Sequence, residues 1–220
     1  ITILLHADQS VNGRGFEVDW SCSYANNPKT YIPDDNFENY LEANGMGDGI
    51  PLNDSVLTSN IDSVNYLNVS GQSITDLTGI EDFNALKDLL CGGNQLTTID
   101  LSSNTLLDWL DLNNNQLTTI DLSSNNVLRI LNCFNNNITS LDLNSNILLE
   151  TLSCSSNSLS NLDLSSNILL QSLTCEQNQI VNLDLSNNLN LQFFYCFNNQ
   201  LTSLDLRNGN NTNMFTWGLD

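Results

Sequence analysis

Apolar and polar positions along this chain repeat at a constant shift of 21 residues from Leu86 onward. One coil places Leu86, Leu89, Cys91, Leu96, Ile99 and Leu101 between polar residues, with Asn94 and Asn104 at fixed points. The aligned sets that follow are Leu107, Leu110, Leu112, Asn115, Leu117 and then Leu128, Leu131, Cys133, Asn136, Ile138. Three more coils continue through Leu149, Leu152, Cys154, then Leu170, Leu173, Cys175, then Leu191, Phe194, Cys196, each with its asparagine three residues on. An imperfect coil of 22 residues precedes them, marked by Val64, Leu67, Val69, Ile74, Leu77 and Ile80. Self-similarity at such a period is read before any local propensity, because each unit has an apolar face it can bury only against its neighbours.

Within each coil the stretch x-Leu-x-Cys-x alternates, which predicts one short strand with Leu and Cys turned inward. Stacked coils then pair these strands into a parallel sheet. The second half, Leu-Thr-x-Ile/Leu-Asp-Leu-Ser, alternates again and predicts a second short extended segment on the opposite wall. So short a period leaves little room for a helix there.

The spacing L-x-x-L-x-C-x-x-N-x-L resembles the leucine-rich-repeat family, with Cys in one Leu slot, over residues 64–208. The resemblance implies a right-handed, mostly β solenoid of the α/β repeat class, with a parallel sheet and a short N-terminal helical cap. A cap is expected over residues 29–63: Phe37, Tyr40 and Leu41 form an apolar stripe behind Asp34 or Asp35, either of which suits an N-cap. Residues 1–28 contain two strand-like runs, Thr2 to His6 and Gly15 to Trp20, and are similar to the last hairpin of a CUB-type β-sandwich. The chain opens on Ile1 and is expected to be part of a longer precursor. Past Gly209 the period lapses, so residues 209–220 are expected to end the array.

Repeated polar columns read first as architecture. Five of six coils carry Cys where Leu112 fills the other, so the slot suits a small buried apolar group. No C-x-x-C or Cys/His cluster supports a metal, and in-register strands suit disulfides poorly. The asparagines from Asn94 to Asn199 are expected to satisfy backbone groups where each coil turns. Asp100, Asp121, Asp142, Asp163, Asp184 and Asp205 stack outward, where like charges repel. Hydrogen bonds from Ser, Thr and turn N–H groups would offset that repulsion, and so would Ca²⁺ bound along the column. The loop over residues 44–54, with Asp48, Asn53 and Asp54, is a second place where Ca²⁺ is conceivable, although it lacks the spaced ligand pattern of a calcium loop. No other cofactor is implied.

Charge narrows the partners. Twenty-five acidic residues against five basic ones give a net charge of −20, which disfavours nucleic acid and anionic membrane surfaces. No apolar run is long enough to span a bilayer. A cationic or protein partner suits the charge better. Function should lie in outward positions that vary between coils. On the strand wall these gather as Trp109, Ile130 and Phe134, with Asp111 and Asn132 beside them, and as Phe193, Tyr195 and Phe197. Clustered exposed aromatics offer rigid contact area at low entropic cost. Catalytic signatures are missing, and His6 is the single histidine.

The Asn-, Ser- and Asp-rich composition with the CUB-like start resembles multidomain secreted proteins of Bacteroidetes-type bacteria, which implies a secreted or cell-surface location. The expected function is a non-catalytic, monomeric module for protein recognition or adhesion through the strand wall, binding an extracellular protein; a basic one suits the charge. The alternatives are a carbohydrate-binding accessory module for polysaccharide, and a spacer between neighbouring domains.

Overall fold

The computed structural model describes residues 27–209 and 215–217; the hairpin expected over residues 1–28 lies almost wholly outside them. A strand β1 (Lys29–Tyr31) pairs antiparallel with β2 (Ser55–Leu57), and the helix α1 (Asp35–Ala43) lies between them in sequence. A short helix α2 (Thr58–Ile61) then leads into the repeats. Eight parallel strands form the main wall: β3 (Tyr66–Asn68), β4 (Asp88–Leu90), β5 (Trp109–Asp111), β6 (Ile130–Asn132), β7 (Thr151–Ser153), β8 (Ser172–Thr174), β10 (Phe193–Tyr195) and β12 (Phe215–Trp217). β9 (Asn182–Asp184) and β11 (Ser203–Asp205) form a parallel pair on the other wall. This is a leucine-rich-repeat solenoid.

Register follows from burial. Leu67, Leu89, Leu110, Leu131, Leu152, Leu173 and Phe194 stack at the centre of successive strands, all at most 1% exposed. A one-residue slip in any coil would turn that column to solvent, so the hydrophobic pattern permits one alignment. The second extended segment is less regular than its alternation predicts, because only β9 and β11 form a strand pair among the described coils. The main wall also runs past the point where the sequence period lapses, since Phe215 registers with Phe193.

Corner asparagines hold successive coils together. Asn115 accepts the Leu96 N–H at 3.0 Å and donates to the carbonyls of Cys91 in the coil before and Leu112 in its own, at 3.1 and 3.0 Å. Asn136, Asn157, Asn178 and Asn199 repeat the pattern. The residue before each corner asparagine takes a left-handed backbone, from Gly93 (φ 68°) and Asn114 (φ 52°) to Gln177 (φ 56°) and Asn198 (φ 55°). Glycine and asparagine tolerate that conformation best. The second asparagine column, Asn104 to Asn188, is buried and donates to carbonyls of the preceding coil, for example Asn125 to Asn104 at 2.9 Å. Its Oδ1 atoms have no hydrogen-bond partner. Under-used carbonyl oxygens are tolerated better than orphaned N–H groups.

At the start, Asp34 rather than Asp35 caps α1. Its Oδ1 accepts the N–H groups of Asn36 and Phe37, both at 3.0 Å. The other carboxylate oxygen accepts the Thr75 N–H and hydroxyl at 2.8 and 2.7 Å, tying the cap to the first coil. Phe37 and Leu41 are buried as the stripe predicts, and Phe37 stacks on Phe83 at 6.3 Å. Glu38 is buried with them, because its two oxygens accept the N–H groups of Asn53 and Asp54.

Candidate functional site

The strand wall presents the outward residues of β3 to β10. Trp109 on β5 registers with Ile130 on β6, so these two form one apolar step. Phe134 lies four residues beyond Ile130 on the same coil. All three are 37% exposed, although strand neighbours flank them. Phe193, Tyr195 and Phe197 alternate along β10 and its continuation, with Phe193 the most exposed. Between the groups lie Thr151, Ser153 and Ser155, then Ser172, Thr174 and Glu176. From β6 to β10 is three strand spacings, roughly 14 Å, so the two aromatic groups are separate contacts on one surface.

Two of the expected polar contacts are held locally. Asp111 accepts the Asn113 N–H at 3.0 Å as well as that residue's side-chain amide. The side-chain oxygen of Asn132 accepts the Phe134 N–H at 3.2 Å. These turns fix where the strand ends and Phe134 projects. They leave less hydrogen-bonding capacity for a ligand than the sequence suggests.

The aspartate column is built differently. Asp100, Asp121, Asp163 and Asp184 each accept the N–H of the serine two residues on, at 2.9 Å. Asp142 does the same with Asn144, and Asp205 with Arg207. The backbone N–H and the hydroxyl of Ser102 hold the Asp100 carboxyl below its ordinary range, and repulsion from Asp121 is the weakest influence on it. Local turns therefore offset the like-charge repulsion at Asp100. A groove of about 370 Å³ runs along this wall past Asp163, Asp184 and Asp205. In the 44–54 loop, Asp48 is engaged by Lys29 Nζ at 2.7 Å, by the Asn53 amide and by the Ile50 N–H.

The cysteine column lines the interior. Cys91, Cys133, Cys154, Cys175 and Cys196 are free thiols, all at most 4% exposed. Burial pushes the Cys133 thiol up to about 12 and the Cys196 thiol up to about 11. Neutral, sealed thiols of this kind pack as small apolar groups.

Three features escape a reading of the sequence. An aliphatic ridge runs along the corner before the main strands, where Leu106, Val127, Leu148 and Leu169 stand exposed with Ile147 and Ile168 beside them. The apolar residue directly ahead of the inward Leu107, Leu128, Leu149 and Leu170 was the available signal. In the cap, carboxylate oxygens of Asp35, Glu38 and Asp54 come within 4.8 Å of one another, from sequence positions that share no motif. On the strand wall, Ser155 is 1% exposed although its position faces outward.

No protein-family model matches this chain. Internalin J of Listeria monocytogenes is 35% identical over 75 residues, a match spanning 34% of this chain and 8% of that protein. The fold is also shared with the functional domain of InlJ from Listeria monocytogenes, which includes a cysteine ladder. That structure matches at TM-score 0.51 and 28% identity, covering 84% of this chain and 55% of its own. A second Listeria internalin, inlF, superposes at TM-score 0.71 with 22% identity over 86% of this chain and 65% of its own. The chain thus spans well under two thirds of internalin J and just under two thirds of the inlF structure. The repeat architecture and the stacked cysteines are what the likeness carries.

Proposed function

We propose that this chain is a non-catalytic recognition module of a secreted or surface-attached protein, binding a partner protein through its strand wall. The observation that carries the reading is the exposed step of Trp109 and Ile130 in register, with Phe134 beside it. A soluble fold gains nothing from displaying large apolar groups there, whereas an interface needs such anchors at its centre. Phe193, Tyr195 and Phe197 form the second contact. The walls of solenoids serve as extended binding surfaces, and the likeness to internalins agrees with that use. The net charge of −20 favours a partner with a basic face, whose association is fastest at low salt.

The test is a binding screen against extracellular proteins and polysaccharides, with and without Ca²⁺, using wild type and a Trp109→Ala, Phe134→Ala double variant. A protein ligand is expected to lose about tenfold to a thousandfold in affinity in the variant, the range typical of central interface residues. Binding of polysaccharide alone, lost in the same variant, would replace the protein reading with the carbohydrate one. A ligand the double variant holds as tightly as wild type would move the site off this step.

A further inference from the structure

Between the two aromatic groups of the strand wall lies a polar point that neither the repeat nor the fold uses. Phe134, Ser155, Glu176 and Phe197 occupy the same position in four consecutive coils. The N–H of Asn135 donates to the Ser155 carbonyl at 3.0 Å, that of Ser156 to Glu176 at 2.9 Å, and that of Gln177 to Phe197 at 3.0 Å. These bonds set the four residues side by side, about one strand spacing apart. Phenylalanine stands at each end, with a hydroxyl and a carboxylate between.

Ser155 is sealed, Glu176 is half-buried, and each carries an unsatisfied atom. Ser155 is 1% exposed, and neither its hydroxyl nor the Oε2 atom of Glu176 has a hydrogen-bond partner. A buried carboxylate oxygen without a donor is costly, more so than a neutral group. Neighbouring turns could have supplied one, as they do for every aspartate of the opposite wall. Among the described residues the ion pairs are Lys29 with Asp48, Arg129 with Asp108 and Arg207 with Asp205, none of them at Glu176. Burial is the main cause that raises the thiols of Cys154, Cys175 and Cys196, and the Glu176 charge adds to all three.

We infer that Glu176 and Ser155 form the seat for a lysine or arginine side chain of the partner protein, received between Phe134 and Phe197. A guanidinium or ammonium brings the donors that the carboxylate lacks. Phe197, one strand spacing from Glu176, can face its charge, and Phe134, one spacing from Ser155, can accept its methylene stem. Calcium fits poorly, since it needs several oxygen ligands, and the described carboxylates that cluster are Asp35, Glu38 and Asp54 in the cap. The inference rests on the strand-wall reading and adds to it the chemistry of one contact.

The test uses Nα-acetyl-arginine amide, with its neutral citrulline counterpart as control, titrated into the whole chain while backbone amide shifts are followed by NMR. Saturable shifts confined to the coils of Phe134, Ser155, Glu176 and Phe197 are expected with the arginine probe alone. Glu176→Gln is expected to weaken that binding at least tenfold, Ser155→Ala less, and Asp163→Asn on the other wall not at all. Glu176→Gln should melt at or above the wild-type temperature, since it removes an unsatisfied charge. Shifts spread along the aspartate wall, or unchanged affinity in a folded Glu176→Gln, would overturn the seat. Localisation in wild type decides the matter even if a variant fails to fold. A localised arginine site with no protein ligand in the screen would count against the strand-wall reading and leave the seat standing. A protein ligand lost in the Trp109→Ala, Phe134→Ala variant but unaffected by Glu176→Gln would do the reverse.

Discussion

The two walls of the solenoid both carry outward polar groups and use them in opposite ways. On the aspartate wall the same side chain recurs in six coils, each with the turn N–H that answers it. On the strand wall the outward residues change from coil to coil, large apolar groups stand exposed, and a buried carboxylate oxygen has no donor. Repeated groups that satisfy one another are part of the scaffold. Unrepeated groups left unsatisfied are what a partner can complete. The Asn104-to-Asn188 column marks the limit of this rule, because it repeats and yet leaves its Oδ1 atoms unpaired; there the side-chain N–H groups do the work.

If the repeated columns are scaffold, breaking one should destabilise the chain while sparing the strand-wall chemistry. The largest effect is expected from Asn136→Ala. Asn136 accepts the Leu117 N–H and donates to the carbonyls of Leu112 and Cys133, all while only 8% exposed. Removing it orphans groups in two coils at once, and each orphan costs about 1–3 kcal/mol. A loss of about 3 kcal/mol in urea unfolding is the expected result. A loss below about 1 kcal/mol would mean the corner relaxes to satisfy itself. Trp109→Ala with Phe134→Ala should divide the other way, leaving stability within about 1 kcal/mol because exposed groups lose little burial, while affinity falls as above.

The buried thiols supply a test of the interior that no substitution disturbs. A thiol raised from its ordinary value near 9 to about 12, as for Cys133, stays protonated in the folded chain while the unfolded chain ionises. Its stabilisation is therefore full below pH 9 and is lost as pH rises through the window from 9 to 12. Cys196 loses its share between 9 and about 11. Chemical denaturation at stepped alkaline pH should show stability falling across that window. Thiol-specific reagents at neutral pH should label the unfolded chain readily and the folded ladder slowly. Flat stability up to pH 11 would mean that the thiolates find stabilising donors in the folded state.

How much of this was legible beforehand depends on whether a residue answers to the period or to its neighbours. The inward column from Leu67 to Phe194, the asparagine corners and the α1 stripe could be read directly, because burial at a fixed spacing leaves one register. The exposed step of Trp109, Ile130 and Phe134 was legible too, since variation within a fixed repeat is itself a signal. Asp111 and Asn132 were legible as outward positions of that wall, but their turn bonds to Asn113 and Phe134 needed coordinates. Sealing of Ser155 and of one Glu176 oxygen depends on how side chains of adjacent coils lie over one another, which no single coil encodes. The same holds for the continuation of the wall at Phe215–Trp217, where a strand forms without the spacing that announces the others.

The smallest effect, and the sharpest for the comparison, belongs to Asp163→Asn. The N–H and then the hydroxyl of Ser165 hold the Asp163 carboxyl below its ordinary value of 3.8. A lowered carboxyl contributes stability above the unfolded value and loses it as pH falls through the folded one, so its contribution is present at neutral pH and fades below about pH 4. Asparagine keeps the acceptor for the Ser165 N–H and removes only the charge. At pH 7 the variant should lie within about 0.5 kcal/mol of wild type, and its melting temperature should fall less steeply on acidification. Added Ca²⁺ should leave the melting temperature of both unchanged, because the turns already answer each carboxylate. A rise with Ca²⁺ in wild type that Asp163→Asn abolishes would show that this wall binds an ion through its repeated groups, and the distinction between a self-satisfied wall and a receptive one would fail.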